Sequence, residues 1–427
     1  MLFGRRLGEA VTLATMTEAT AGTEGPPRSP VREVLGERNF RAFFIAQVLL
    51  FGVGGTLRFT FIWLVVTLTD WPSAEGLVAF CLGVPAMLLS VPAGAWSDRL
   101  DRRKLFVGGI ASTTVMLVVF TAAIAAGWVT TFWAAVAALV IGTPSAITLP
   151  TVQAMVPALV PQERLMTAVA LQNGTGQAAN FTGLAIAGVS IRLLGDSGGF
   201  ALLAVVSVVA LFYAMRVQIP PRAPVQGEAP DGSVRAGTAF AFSTEPVRTL
   251  LLLSLVLGSS FSAMQVSMPR VVDEVYDAGS ITAGIVLGAF GVGMMTSSAL
   301  VAGRRSMPHG RNLALFIGIG LGMGQFLLSL APNQGVAIGV MLAWGLNAGI
   351  AMASHRTLLQ MRTPPELMGR VMGLMMFGFA GGLPFGAMAS SILAGQVGPQ
   401  RTMTIVGIAA MVLCIPLTWR RSMLRQR

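Results

Sequence analysis

Charge is scarce in this chain. Asp, Glu, Lys and Arg make up 11% of its 427 residues, against roughly 25% in ordinary soluble domains. Cysteine is nearly absent. Cys81 and Cys414 both fall inside apolar runs and read as small core residues, so neither a disulfide framework nor a thiolate metal site is indicated. Two histidines, His309 and His355, cannot supply a metal cluster with the few acids available. No glycine-rich loop ending in Lys-Ser or Lys-Thr is present to cradle phosphates, which speaks against ATP-driven work. No enzyme constellation appears, and the sequence asks for no cofactor. Residues 1–38 lack the apolar segment and small-residue cleavage site of a signal peptide. They read as a disordered cytoplasmic tail in which Met16 is a second candidate start.

What the chain has instead is hydrophobicity: 54% apolar residues, 50 glycines and 24 methionines, with a mean hydropathy of +0.72. Small residues in such number suit helices that pack closely in lipid. Apolar runs long enough to cross a bilayer core of ~30 Å follow one another at about 41–66, 77–97, 105–127, 130–156, 166–191, 199–215, 249–269, 281–302, 313–331, 336–354, 370–394 and 402–419. The expected architecture is therefore an all-α membrane protein with twelve transmembrane helices.

Between the second and third runs lies Gly94-Ala95-Trp96-Ser97-Asp98-Arg99-Leu100-Asp101-Arg102-Arg103-Lys104-Leu105. Its six charges cannot sit in hydrocarbon and must lie in water at a membrane face. Its basic residues place that face in the cytoplasm. With twelve spans and a cytoplasmic N-terminus, 25 of the 29 Lys and Arg fall on inside segments. Only Arg192, Arg270 and Arg401 fall outside, and Arg58 lies within a span. Both termini are thus expected to be cytoplasmic. The net charge of +11 would suit nucleic acid had it been gathered on one domain; scattered through short loops, it argues for no nucleic-acid partner.

The longest interior loop, Arg216 to Arg248, carries Pro220, Pro221, Pro224, Gly227, Pro230 and Gly232 and reads as a flexible linker. It divides the chain into six-helix bundles at 39–216 and 248–419, joined by 217–247, with a tail at 420–427. The halves echo one another. Pro161-Gln162-Glu163-Arg164-Leu165 precedes the fifth span and Pro364-Pro365-Glu366-Leu367 the eleventh; Gly303-Arg304-Arg305 and Gly310-Arg311 form a weaker counterpart of the charged loop. Paired halves of this kind place a binding site between them near the midplane.

At Gly94, Asp98, Arg99, Arg102 and Arg103 the charged loop resembles the signature loop of the major facilitator superfamily, departing from it at Asp101, where that family usually has glycine. Pro157 to Leu165, and Thr363-Pro364-Pro365-Glu366-Leu367-Met368-Gly369-Arg370-Val371, resemble the branch of multidrug, macrolide and siderophore exporters. The resemblance implies a two-half major facilitator fold in the bacterial inner membrane, working as a functional monomer. It implies a secondary active transporter that exports an amphipathic organic molecule by alternating access, as a proton antiporter, with coupling through substrate charge exchange or substrate protonation as the alternatives. It also implies that Asp98 caps the start of the eleventh helix as a latch; a solvated loop carboxylate is the plainer alternative. Arg99, Arg102 and Arg103 are candidates to pair with Glu163 or Glu366, in a gating set that includes Gly369 and Arg370. The fifth span, with Gln172, Asn173 and Gln177 among glycines, resembles the antiporter motif, but Gly183-Leu184 stands where that motif has Gly-Pro, which leaves its kink open.

Arg58 shares one helical face with Gln47 and Gly54. A buried arginine in lipid costs ~2.5 kcal/mol or more and needs a cavity or a partner. Contact with substrate or an anion is one reading; snorkelling to the outer interface near Asp70 is the other. Further cavity candidates are Thr148, Gln265, Trp344 and Asn347, each of which helix packing would also explain. No Asp or Glu falls inside the apolar runs, so the coupling candidates are Asp70, Asp273 and Glu274 at the outer ends and His355 at an inner end. Import of a small organic anion through Arg58, or a non-transporting receptor or scaffold, are the alternatives.

Overall fold

The computed structural model describes residues 30–71, 73–218, 232–302, 311–364 and 367–419. In chain order they form helices α1 (Pro30–Gly36), α2 (Arg38–Leu68), α3 (Ala74–Arg99), α4 (Arg102–Ala125), α5 (Thr131–Leu159), a single turn at Gln162–Arg164, α6 (Leu165–Met215), α7 (Gly232–Ser243), α8 (Glu245–Glu274), α9 (Ser280–Ala302), α10 (Arg311–Ser329), α11 (Gln334–Met361), α12 (Met368–Val397) and α13 (Pro399–Trp419). Among the described residues, eight helices are long and apolar enough to cross a membrane, and Ala74–Leu89 and Pro399–Cys414 are shorter apolar helices.

Local chemistry sets the boundaries. Thr130 and Asn333 accept from the backbone N–H groups of Trp133 and Val336 and so start α5 and α11. Asp101 accepts from the N–H groups of Arg103 and Lys104, starting α4 two residues after α3 ends. Gly127 and Gly398, at φ 71° and 86°, stop α4 and α12 in a backbone region that glycine enters without penalty. Gly195, also at φ 71°, breaks α6. Those 51 residues would run about 76 Å if straight, far beyond a bilayer. Instead the chain turns there and returns. Gly183 lies against Gly52 and Thr56 of α2 on the way out, and Gly199 against Thr60 on the way back. The helix is unbroken across Gly183-Leu184, so the bend sits at Gly195 and not at the motif position.

Two expectations about irregular chain are corrected. The ordered chain reaches back to Pro30, where Val34 is buried and Glu33 and Glu37 pair with Arg164. Within the proposed linker, residues 219–231 lie outside the described residues, but Gly232–Ser243 is helical and packs Ala241 against Val247, Leu250, Leu359 and Val371. The tail 1–29, the repeat 303–310 and the terminal 420–427 also lie outside them.

Helices α2 to α6 pack chiefly on one another, as do α8 to α13. Between these groups α3 meets α12, α6 meets α9, and α2 and α3 touch α8. The joins have glycine on them. Gly188 lies against the Ser280 carbonyl and accepts from Ser280 Oγ at 3.0 Å, Gly284 against the Leu184 carbonyl, and Gly76 against Ser391. Lacking a hydrophobic drive between helices in lipid, such close backbone approach is what holds them. These joins involve the ends of α3, α6, α8, α9 and α12 that lie away from the described chain termini. There the seam is filled by Ile62, Ala79, Val266 and Ala387 and by Phe59, Trp63, Phe181, Met264, Met268 and Phe290. Trp71, Trp128 and Trp133 are exposed at this same end, as befits aromatic rings at a membrane interface.

Candidate transport site

One turn of α2 below Ile62, on the terminus side of that apolar seal, stands Arg58. It is partly buried and has no hydrogen-bond or ion-pair partner among the described residues. Gly54, a further turn along, is exposed, and a side chain there would meet open space. The Gly54–Arg58 edge of α2 is thus left uncovered by the described helices, one turn from the seal. Gln47 does not join it: fully buried, it donates to the Gln172 carbonyl of α6 at 3.3 Å, and its own Oε1 is unpartnered.

The other cavity candidates are packed. Thr148 returns its hydroxyl to the Pro144 carbonyl at 2.8 Å and abuts Gly109 of α4. Trp344 lies on Gly324 of α10 and edge-on to Phe290, while Asn347 lies on Gly320. Both lie against glycines of α10, and Trp344 also packs into the apolar cluster of the seam through Phe290. Trp344 Nε1, Asn347 Oδ1 and Gln265 Oε1 are buried without partners. Gln265 sits four residues before Pro269, which has no N–H to return to the Gln265 carbonyl. That stretch of α8 is thus polar in backbone and side chain, beside Val266 of the seal.

One acid stands just outside the apolar runs but inside a helix. Helix α3 begins at Ala74, earlier than the apolar run suggested, and carries Glu75 in its first turn at 1% exposure. Glu75 Oε1 accepts from Arg270 of α8, from Nε at 2.9 Å and from Nη2. Its Oε2 accepts from Ser391 Oγ of α12 at 3.3 Å, and the same Ser391 Oγ receives the Gly76 N–H at 3.1 Å. Arg270, its side chain 12% exposed, reaches Glu274 at 3.4 Å through Nη1. Three helices thus meet on one carboxylate. Removing one member of such a pair strands a buried charge at a cost of ~3–5 kcal/mol, although the pair itself adds little net stability. The signal was present in the sequence: Ser73 followed by an acid in the first turn marks a helix start, and Arg270 follows directly on Pro269.

Among the named coupling candidates, Asp70 and Asp273 are exposed, and Glu274 serves Arg270. His355 is 2% exposed on α11 and bonds Ser254 Oγ of α8 at 2.9 Å through Nε2; its Nδ1 is buried without a partner.

The side chains of Gly94, Asp98, Arg99 and Gly369, and all of Glu366, lie outside the described residues. In the rest of the signature loop, Arg102 donates to the Ala154 carbonyl at the end of α5 at 2.8 Å. Arg103 donates to Val217 at 2.7 Å and Met215 at 2.9 Å, at the end of α6. Arg103 binds these carbonyls because helix C-termini present unsatisfied, partly negative oxygens; its expected pairing with Glu366 lies outside the described residues. Glu163 is exposed and Arg370 partly buried.

Comparison with known proteins fits this geometry. The enterobactin exporter EntS of Shigella boydii and that of Escherichia coli are each 26% identical to the chain over 268 residues, covering 62% of this chain. The chain spans 63% of the length of these curated relatives. Its fold is similar to that of the nucleoside transporter NupG, with a TM-score of 0.71 at 15% identity over 88% of this chain and 98% of that one. It is also similar to a bacterial homologue of the human lysosomal transporter Spinster in an inward-facing, unoccupied conformation, with a TM-score of 0.68 at 12% identity over 93% and 98%. The profile of the transmembrane secretion effector family matches residues 29–426. With nearly the whole length matched, the chain belongs to the transmembrane secretion effector family of the major facilitator superfamily.

Proposed function

We propose that the protein is a secondary active exporter of amphipathic, anionic organic molecules, with siderophore-like compounds as the favoured cargo. The observation that carries this reading is Arg58: a cation without a partner among the described residues, beside the uncovered Gly54 and beneath a sealed seam. A charge so placed needs a ligand or water to balance it, and a place on the terminus side of the seal suits loading from that side. The likeness to the EntS exporters supports the direction and the cargo class.

In this reading helix α6 crosses twice by turning at Gly195, and α3, α10 and α13 complete a set of twelve spans. Two six-helix halves, at 39–216 and 248–419, rock about the seam, with both termini in the cytoplasm and protons returning as the cargo leaves. Asp98 acts as a latch on the start of α12.

Complementation tests it. In a siderophore-producing strain lacking its own exporter, expression of this protein should restore siderophore to the medium, and a protonophore should abolish the effect. Arg58→Ala should lower export of the anionic cargo at least tenfold while leaving the protein in the membrane. Membrane-inserted protein that exports neither siderophore nor dye would sink the proposal. Counterflow of a small organic anion into proteoliposomes would favour the importing alternative, and counterflow of no candidate the receptor or scaffold.

A further inference from the structure

We propose that Glu75 is the proton-binding site that opens the seam, with Arg270 and Ser391 as the partners that read its charge. The proposal rests on the protein being a transporter that alternates between two faces.

Three observations carry it. Glu75 is the acidic residue of α3 turned into the join between the two helix groups, and it is 1% exposed. Its side-chain partners among the described residues lie on the other group: Arg270 on α8 and Ser391 on α12. The join it ties is the sealed end, directly above Ile62, Ala79, Val266 and Ala387. As a carboxylate, Glu75 accepts from both partners at once. A proton taken from the adjacent water makes it a neutral carboxyl, which removes the charge pairing with Arg270 and turns one oxygen into a donor. Arg270 then keeps its charge with Glu274 as its carboxylate, and Glu274, half exposed, already lies towards water. The buried cation gains by moving out with it, and the seam parts.

The charged groups at this end, besides Glu75, are Asp70, Arg192 and Asp196 of α6, Arg270, Asp273 and Glu274 of α8, Asp277, and Arg401 of α13. Among the described residues only Arg270 pairs with Glu75; Glu274 pairs with Arg270, Asp196 accepts from Thr67, and Asp70, Arg192, Asp273, Asp277 and Arg401 are exposed. The remaining contacts on Glu75 and Gly76 are with Ser391, which does not titrate. Acid therefore acts on the pair in one direction: tied at high pH, released as pH falls.

The test reads distance and needs no cargo, so its failure is separable from a failure of the export reading. Cys81 and Cys414 are replaced by serine, and spin labels are attached through Trp128→Cys and Gln334→Cys, both exposed at the sealed end of opposite groups. Electron–electron resonance distances are recorded in lipid nanodiscs from pH 8 to pH 5. The expected result is a shift from a short to a long distance population on acidification. Glu75→Gln should hold the long population at every pH. Should Glu75→Gln fail to fold, the double variant Glu75→Gln/Arg270→Gln leaves no buried charge and should stay short with no pH response. Distances that do not change with pH in the labelled parent, or a parent-like pH response surviving in either variant, would overturn the assignment.

Discussion

At the scale of single residues, the buried Glu75–Arg270 pair and the unpaired Arg58 behave as opposites. Arg270 has a carboxylate on either side of it, so its burial is compensated; Arg58 is left for something outside the protein. This asymmetry predicts different outcomes for charge removal. Arg270→Met should lower the melting temperature in detergent by several degrees, because it strands Glu75 at a cost of ~3–5 kcal/mol. Adding Glu75→Gln should recover most of that loss; a double variant no more stable than Arg270→Met would refute the coupling. Arg58→Met should leave the melting temperature unchanged or raise it, since no bond is lost. Asp101 belongs to the same scale. Its departure from the family's usual glycine has a structural reason, namely two backbone N–H groups at the start of α4. Asp101→Ala should cost ~1 kcal/mol, read as a lower unfolding midpoint without loss of membrane insertion.

At the scale of elements, glycine placement decides which helices touch. A side chain at Gly188 would overlap the Ser280 carbonyl, and one at Gly284 the Leu184 carbonyl, so α6 and α9 cross closely only while both stay bare. Gly188→Leu should loosen that crossing. With the native cysteines removed, Ala185→Cys at the crossing should react faster with a membrane-impermeant maleimide in the Gly188→Leu background than without it. Equal rates would show that the crossing does not close this face. The length of α6 and its turn at Gly195 also belong here: the two apolar runs 166–191 and 199–215 were legible from composition, and the single positive-φ glycine between them supplies the reversal.

At the scale of the whole molecule, orientation follows from the distribution of basic residues and is open to a direct check. Alkaline phosphatase fused after Trp128 should be active, and fused after Lys104 inactive, because the first point lies at the sealed end and the second in the basic loop. Reversed activities would invert the inside and outside of the transport proposal. A C-terminal fluorescent fusion that folds only in the cytoplasm should fluoresce.

Hydropathy, basic-residue asymmetry and the loop at 94–105 determined by sequence alone that this chain is a bundle of membrane-crossing helices related to the major facilitator superfamily. These features are local: an apolar run or a charged turn carries its meaning wherever it packs. The sequence also singled out Arg58, since a charge within an apolar run is costly in any arrangement. Tertiary structure alone decided the partners. Arg270 and Ser391 lie 195 and 316 residues from Glu75, and all three look like unremarkable helix-end residues until three helices bring them together. It likewise turned Thr148, Trp344 and Asn347 into packing contacts, because which face of an apolar helix meets a neighbour depends on where its glycines let that neighbour come. Pairing across a seam is a property of the assembled helices, which no single stretch of chain contains.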